Sequence, residues 1–185
     1  MEKLMRIKMV PCIAALAMLV IPAAASAQTQ ITGVGWEVSK LQGKNRAPFE
    51  AVSELRASPE LKFSDNLRAV VSLRNSSSKS VEGLVLRYAV RLRLLRKGDA
   101  PEKAFWSVPF YIEEVRVAKI GPSSERQTRL IRFELAEQLK RLRGTGLAPV
   151  GLKAEIMISP RLGDDPAAII REAELTILPP ETAKP

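Results

Sequence analysis

Apolar and polar residues alternate with a period of two along most of the chain, the pattern of strands with one buried face and one solvated face. Val34, Trp36 and Val38 form the first such stretch. Leu67, Ala69, Val71 and Leu73 form the second, which stops at Asn75, where Asn75 to Lys79 has the chemistry of a turn. The clearest strand follows: Leu84, Leu86, Tyr88, Val90, Leu92 and Leu94 share one face, and Arg87, Arg91 and Arg93 share the other. Beyond the loop at Lys97 to Pro101, Trp106, Val108, Phe110 and Ile112 fall in phase, which predicts Trp106 in the core together with Trp36 and turns Phe105 and Tyr111 outward. Pro109 lacks a backbone donor, so this stretch is predicted to lie at a sheet edge or to carry a bulge. Past Glu113 and Glu114 the phase shifts onto Val115 and Val117, and Gly121 to Ser124 reads as a turn before a strand from Arg126 to Phe133. Leu135, Leu139 and Leu142 then recur at helical spacing, predicting one short helix near residues 134–143 that ends at Gly144. Two last strands are carried by Leu152, Ala154, Ile156 and Ile158, and by Ala173, Leu175 and Ile177. Between residues 45 and 66 the alternation fails, and the spacing of Phe49, Val52 and Leu55 suits one helical turn or two.

About seven short strands separated by turn signals predict an all-β fold, an immunoglobulin-like antiparallel sandwich, with a barrel as the architecture that alternation leaves open. One domain is expected over residues 28–178, and residues 179–185, with Pro179, Pro180 and Pro185, read as an extended, disordered tail. The stretch Val71-Ser72-Leu73-Arg74-Asn75-Ser76-Ser77-Ser78-Lys79-Ser80-Val81, with the alternation from Leu84 to Leu94, resembles the central hairpin of bacterial exported immunoglobulin-like domains of the CARDB and FxLYD kind. The resemblance covers residues 67–95. It implies an adhesion or envelope-interaction module with no catalytic residue to carry over.

The N-terminus fixes the expected compartment. Lys3, Arg6 and Lys8 precede an apolar run from Met9 to Ile21, and Ala25-Ser26-Ala27 gives a small-residue cleavage site before Gln28. Residues 1–27 therefore read as a cleaved signal peptide, and the protein as periplasmic or secreted. Cys12, the single cysteine, leaves with that segment, and the chain has no histidine. The remainder is expected to lack disulfides, thiol nucleophiles, cysteine zinc sites and every histidine-dependent triad. It carries 26 basic and 19 acidic residues, a net charge of +7, and residues 86–143 hold 14 of the basic against 7 of the acidic ones.

That basic excess gives the leading functional reading. Arg87 and Arg91 lie about 13 Å apart along one strand face, and Arg91 and Arg93 about 7 Å, a reach suited to successive anionic groups. The competing reading is a solvated face paired across strands with Glu113 or Glu114. Arg116, Lys140 and Arg141 extend the candidate set, and Phe105 and Tyr111 flank Pro109 as an aromatic contact pair. The expected function is a non-catalytic binding or assembly module contacting an envelope protein or an anionic polymer, with no specific nucleic-acid partner and no cofactor. The alternative is a small hydrolase using carboxylates or a Ser-Lys pair. Ser76 and Lys79 match Ser-x-x-Lys, but in a turn where that motif calls for a helix start. Glu113 and Glu114, adjacent on a strand, point to opposite faces and cannot flank one bond. Asp164 and Asp165 offer paired carboxylates to calcium, which asks for six or more oxygens; an Asp-Pro turn is the simpler reading. Asn75-Ser76-Ser77 fits both a glycosylation sequon and a turn.

Overall fold

A computed structural model describes residues 29–56, 63–131, 135–161 and 164–179. The predicted signal peptide and residues 180–185 of the predicted tail lie outside them. The strands are β1 (Thr29–Ser39), β2 (Leu41–Gln42), β3 (Asn45–Arg46), β4 (Glu50–Val52), β5 (Glu54–Arg56), β6 (Asn66–Asn75), β7 (Val85–Arg96), β8 (Phe105–Trp106), β9 (Tyr111–Arg116), β10 (Ser124–Ile131), β11 (Leu147–Ile158) and β12 (Ile170–Leu178). Two short helices, α1 (Leu135–Arg141) and α2 (Pro166–Ile169), precede β11 and β12.

The protein is all-β and built as a sandwich. One sheet has the order β10-β6-β1-β4, and the other runs β5-β12-β11-β7 and then β8, with β9 also on β7. Taking β1, β6, β7, β9, β10, β11 and β12 in chain order, the pairings E-B-A and G-F-C-C′ of the immunoglobulin arrangement are reproduced, with α1 inserted before the sixth of these strands. The larger strand total comes from the short pieces β2 to β5 and from the division of β8 and β9. One pairing departs from the antiparallel rule: β5 lies parallel to β12, with Leu55 opposite Ile177. This pairing, and that of Val52 with Trp36, replaces the predicted helical turns around Phe49, Val52 and Leu55. Two neighbouring sheet edges give these residues backbone partners that an isolated turn of helix lacks.

The core is the sum of the two inner faces. Leu86, Tyr88, Val90, Leu92 and Leu94 of β7 join Leu152, Ala154, Ile156 and Ile158 of β11 and Leu175 and Ile177 of β12. Opposite them lie Ile31, Trp36 and Val38 of β1 and Leu67, Ala69, Val71 and Leu73 of β6. Each such side chain contributes about 1.5–3 kcal/mol of burial, so the phase of β7 alone is worth far more than any surface pairing. Leu135 and Leu139 of α1 close one end, as the helical spacing predicts. Asn75, fully buried, fastens two turns together: its Nδ2 donates to the carbonyls of Lys79 and Gly121, both at 2.7 Å, and its Oδ1 accepts from Ser77 N–H at 3.0 Å. The Asn75-Ser76-Ser77 triplet is therefore a turn in which the asparagine amide is fully engaged.

The stretch 105–112 reverses the predicted faces. Trp106 pairs with Arg93 and Ile112 with Ala89, both on the outer face, while Phe105 pairs with Leu94 and Tyr111 with Val90 on the inner face. Trp106 is thus only half-buried, and Ile112 and Val108 are 73% and 81% exposed. Phe105 remains 49% exposed because its edge strand is two residues long. Between Trp106 and Tyr111 the chain makes a two-residue excursion around Pro109, held by Ser107 N–H to the Leu92 carbonyl and Phe110 N–H to the Val90 carbonyl. The predicted bulge is present, and because it adds an even number of residues it does not change which face is which.

Candidate functional site

Cross-strand registers assemble the outer face of the larger sheet. Alternation along β7 sends Arg87, Arg91 and Arg93 outward, as expected, and Arg116 of β9 stands beside Val85 on the same face. β11 adds Lys153, Glu155 and Met157, and β12 adds Ile170, Glu172 and Glu174. Most of these cations lie on β7 and β9, with Lys153 on β11, and most of the acids on β11 and β12, with Glu114 on β9.

Several of these charges neutralise one another. Arg87 Nε lies 2.6 Å from Glu114 Oε1, the cross-strand partnership that the solvated reading expected. Arg91 Nε lies 3.0 Å from Glu155 Oε2, and Lys153 Nζ bridges Glu155 at 3.3 Å and Glu172 at 3.2 Å. Burial of Lys153 disfavours its charge, but the hydrogen bonds to Glu172 and Glu155 outweigh that and raise its pKa, so it stays a cation. Arg93 and Arg116 have no carboxylate partner among the described residues. The Arg93 guanidinium lies 6.0 Å from the centre of the Trp106 ring, and Lys153 Nζ lies 4.9 Å from it. Gly151, opposite Arg93 at a bulge in β11, leaves room for this: a Cβ there would come 3.2 Å from Arg93 Cβ.

Inside this charged frame lies an apolar groove of about 220 Å³, lined by Ala89, Ile112, Ile156, Met157 and Ile170 and bordered by Arg87 and Glu155. Alternation read one strand at a time misses it, since its walls come from β7, β9, β11 and β12. The signal for it was the apolar residue at an outward position in each strand.

The remaining candidates fall elsewhere. Tyr111 turns inward, where its hydroxyl donates to Glu113 Oε2 at 2.6 Å and the Tyr88 hydroxyl donates to the same oxygen at 2.7 Å. These two donors hold the Glu113 carboxyl below its ordinary pKa, while burial and the nearby carboxylate push the Tyr88 phenol up. Phe105 and Tyr111 therefore form no outward aromatic pair. Arg141 lines a cleft with the inward-facing Leu92 and Leu94, so Lys140 and Arg141 of α1 do not extend the arginine row. Asp164 Oδ2 accepts from Arg161 N–H at 2.7 Å, and Asp165 Oδ1 caps α2 through Ala167 N–H at 2.9 Å. Both carboxylates serve local turns. Glu113 and Glu114 face opposite sides, and Ser76 and Lys79 sit in an exposed turn rather than at a helix start. No helix among the described residues is long and apolar enough to cross a membrane. No protein-family model matches the chain, and no curated protein matches it.

Proposed function

We propose that this chain is an exported, non-catalytic binding module that docks an acidic protein partner of the cell envelope on the outer face of its larger sheet. One observation carries the reading: two cations without carboxylate partners among the described residues, Arg93 and Arg116, stand on the same face as an exposed apolar groove around Ile112. A featureless anionic polymer would use the cations and leave the groove empty, whereas a protein with an apolar knob and an acidic rim uses both. The resemblance of residues 67–95 to exported immunoglobulin-like domains points the same way, and the tripartite N-terminus supports export.

Capture from an envelope extract tests the proposal. A specific partner is one retained by the parent and by Arg129→Ser on the opposite sheet, and lost with Arg93→Ser/Arg116→Ser and with Ile112→Ser. Equal recovery on all four proteins defeats the docking face. N-terminal sequencing of the exported form should begin at Gln28; an exported species beginning at Met1 argues instead for a retained anchor.

A further inference from the structure

We infer that the cleft between β7, the excursion at residues 107–110 and α1 binds an amphiphile with a single anionic head and an aliphatic tail. This site lies on the opposite side of β7 from the proposed docking face and does not depend on it. Its volume is about 380 Å³, at the lower end of small-molecule sites, which favours a slim chain over a ring system. Leu92 and Leu94 form the floor, Val108, Pro109 and Phe110 one wall, and Gln138 and Arg141 of α1 with Leu142 just beyond it the other.

Three features argue that this space is more than a packing gap. First, the excursion is built: Ser107 Oγ accepts from Leu92 N–H at 3.1 Å and donates to the Val108 carbonyl at 2.8 Å, which pins the start of the excursion to β7 and fixes its turn. Second, the wall is apolar although unsealed, with Val108 81% exposed and Phe110 and Leu142 only half-buried. Third, among the described residues Arg141 is the only charged one that lines the cleft, exposed and without an acidic partner, and Gln138 lines it too. A guanidinium at the mouth of an apolar cleft that no carboxylate among the described residues lines is complementary to a carboxylate or phosphate attached to a hydrocarbon chain. Lys140 and Arg143, exposed on either side of Arg141, reinforce the positive potential at the entrance.

Titration calorimetry with decanoate below its micelle concentration, and with decanol as the uncharged analogue, tests the assignment. The parent should bind decanoate saturably at one site. Arg141→Ala should weaken decanoate about tenfold, as loss of a charge-assisted contact does, leave decanol unchanged, and be largely rescued by Arg141→Lys. Val108→Glu, at a position exposed enough to spare the fold, should weaken decanoate by setting a like charge at the mouth. Co-sedimentation with phosphatidylglycerol vesicles that depends on Arg141 assigns the anion to a lipid headgroup, and decanoate binding without sedimentation assigns it to a free acid. The inference is overturned if the parent shows no saturable decanoate binding, or if either Arg141→Ala or Val108→Glu binds it as tightly as the parent.

Discussion

Asn75 joins two turns of this fold through one buried side chain. Its two donated hydrogen bonds tie the turn after β6 to the turn before β10, and its carbonyl organises Ser77. Asn75→Ala removes two hydrogen bonds, each worth about 0.5–1.5 kcal/mol, while the Lys79 and Gly121 carbonyls keep the Ser77 and Ser124 hydroxyls as donors. Urea denaturation should show a loss of about 1–3 kcal/mol. Asn75→Asp should rescue none of it, since a carboxylate presents acceptors to the same two carbonyls; full stability in either variant would show that the turns hold without this side chain. Glu113 sets a second test at this scale. The Tyr111 and Tyr88 hydroxyls favour its ionised form, so its folded pKa lies below the ordinary 4.5. A carboxyl with a depressed pKa adds stability above 4.5 and loses it as pH falls through the lower folded value. The stability gap between the parent and Tyr88→Phe should therefore narrow as pH drops from about 6 to about 3. A gap that stays constant across that range would show that the phenol contributes packing alone.

At the scale of elements, the segment β8–β9 determines what the outer face looks like, and fluorescence can read it. Trp36 is 4% exposed, whereas Trp106 is half-buried beside Arg93 and Lys153. Iodide, drawn by those cations, should quench the emission more than caesium does, and Trp106→Phe should abolish the difference; equal quenching by the two ions would return Trp106 to the core. The faces of β6, β7 and β11 were legible in the sequence because in each of them one phase is continuously apolar and the other carries charge or small residues. Slipping such a strand by one residue would bury an arginine row, and the cost of burying unpaired charge fixes the register. In β8–β9 both phases are mixed: Phe105 and Tyr111 on one, Trp106, Val108 and Ile112 on the other. At a sheet edge neither face is fully covered, so apolarity no longer reports direction. What decides there is nonlocal, the partnership of Trp106 with Arg93 and of Glu113 with two phenols. The parallel pairing of β5 with β12 was invisible for the same reason, since it joins residues far apart in the chain. The proposed docking face was half legible: its arginines follow from one strand's alternation, while its groove needs the registers of four.

For the whole molecule, the question is whether the basic face carries the fold or only the surface. The Arg87–Glu114 pair is more than half exposed on both sides, and such pairs contribute about 0.2–1 kcal/mol. Arg91–Glu155 is about a third exposed and belongs to the upper part of that range, and the contact of Arg93 with Trp106 adds about 0.5–1 kcal/mol. Replacing Arg87, Arg91 and Arg93 together with Ser should therefore cost about 1–3 kcal/mol, a minor part of the 5–15 kcal/mol that holds a domain of this size. The variant should keep the parent's circular dichroism spectrum and melt a few degrees lower. Its affinity for the captured partner should fall much further, because the loss removes three of the cations on β7 and β9 and leaves Glu114 and Glu155 to repel an acidic rim. Raising salt from about 0.05 to 0.5 M should weaken the parent more than the triple variant, since only the parent has that attraction to screen. A variant that binds as tightly as the parent would make the arginines a solvated face, and one that unfolds would show that the pairs with Glu114 and Glu155 carry structure well beyond what exposed ion pairs supply.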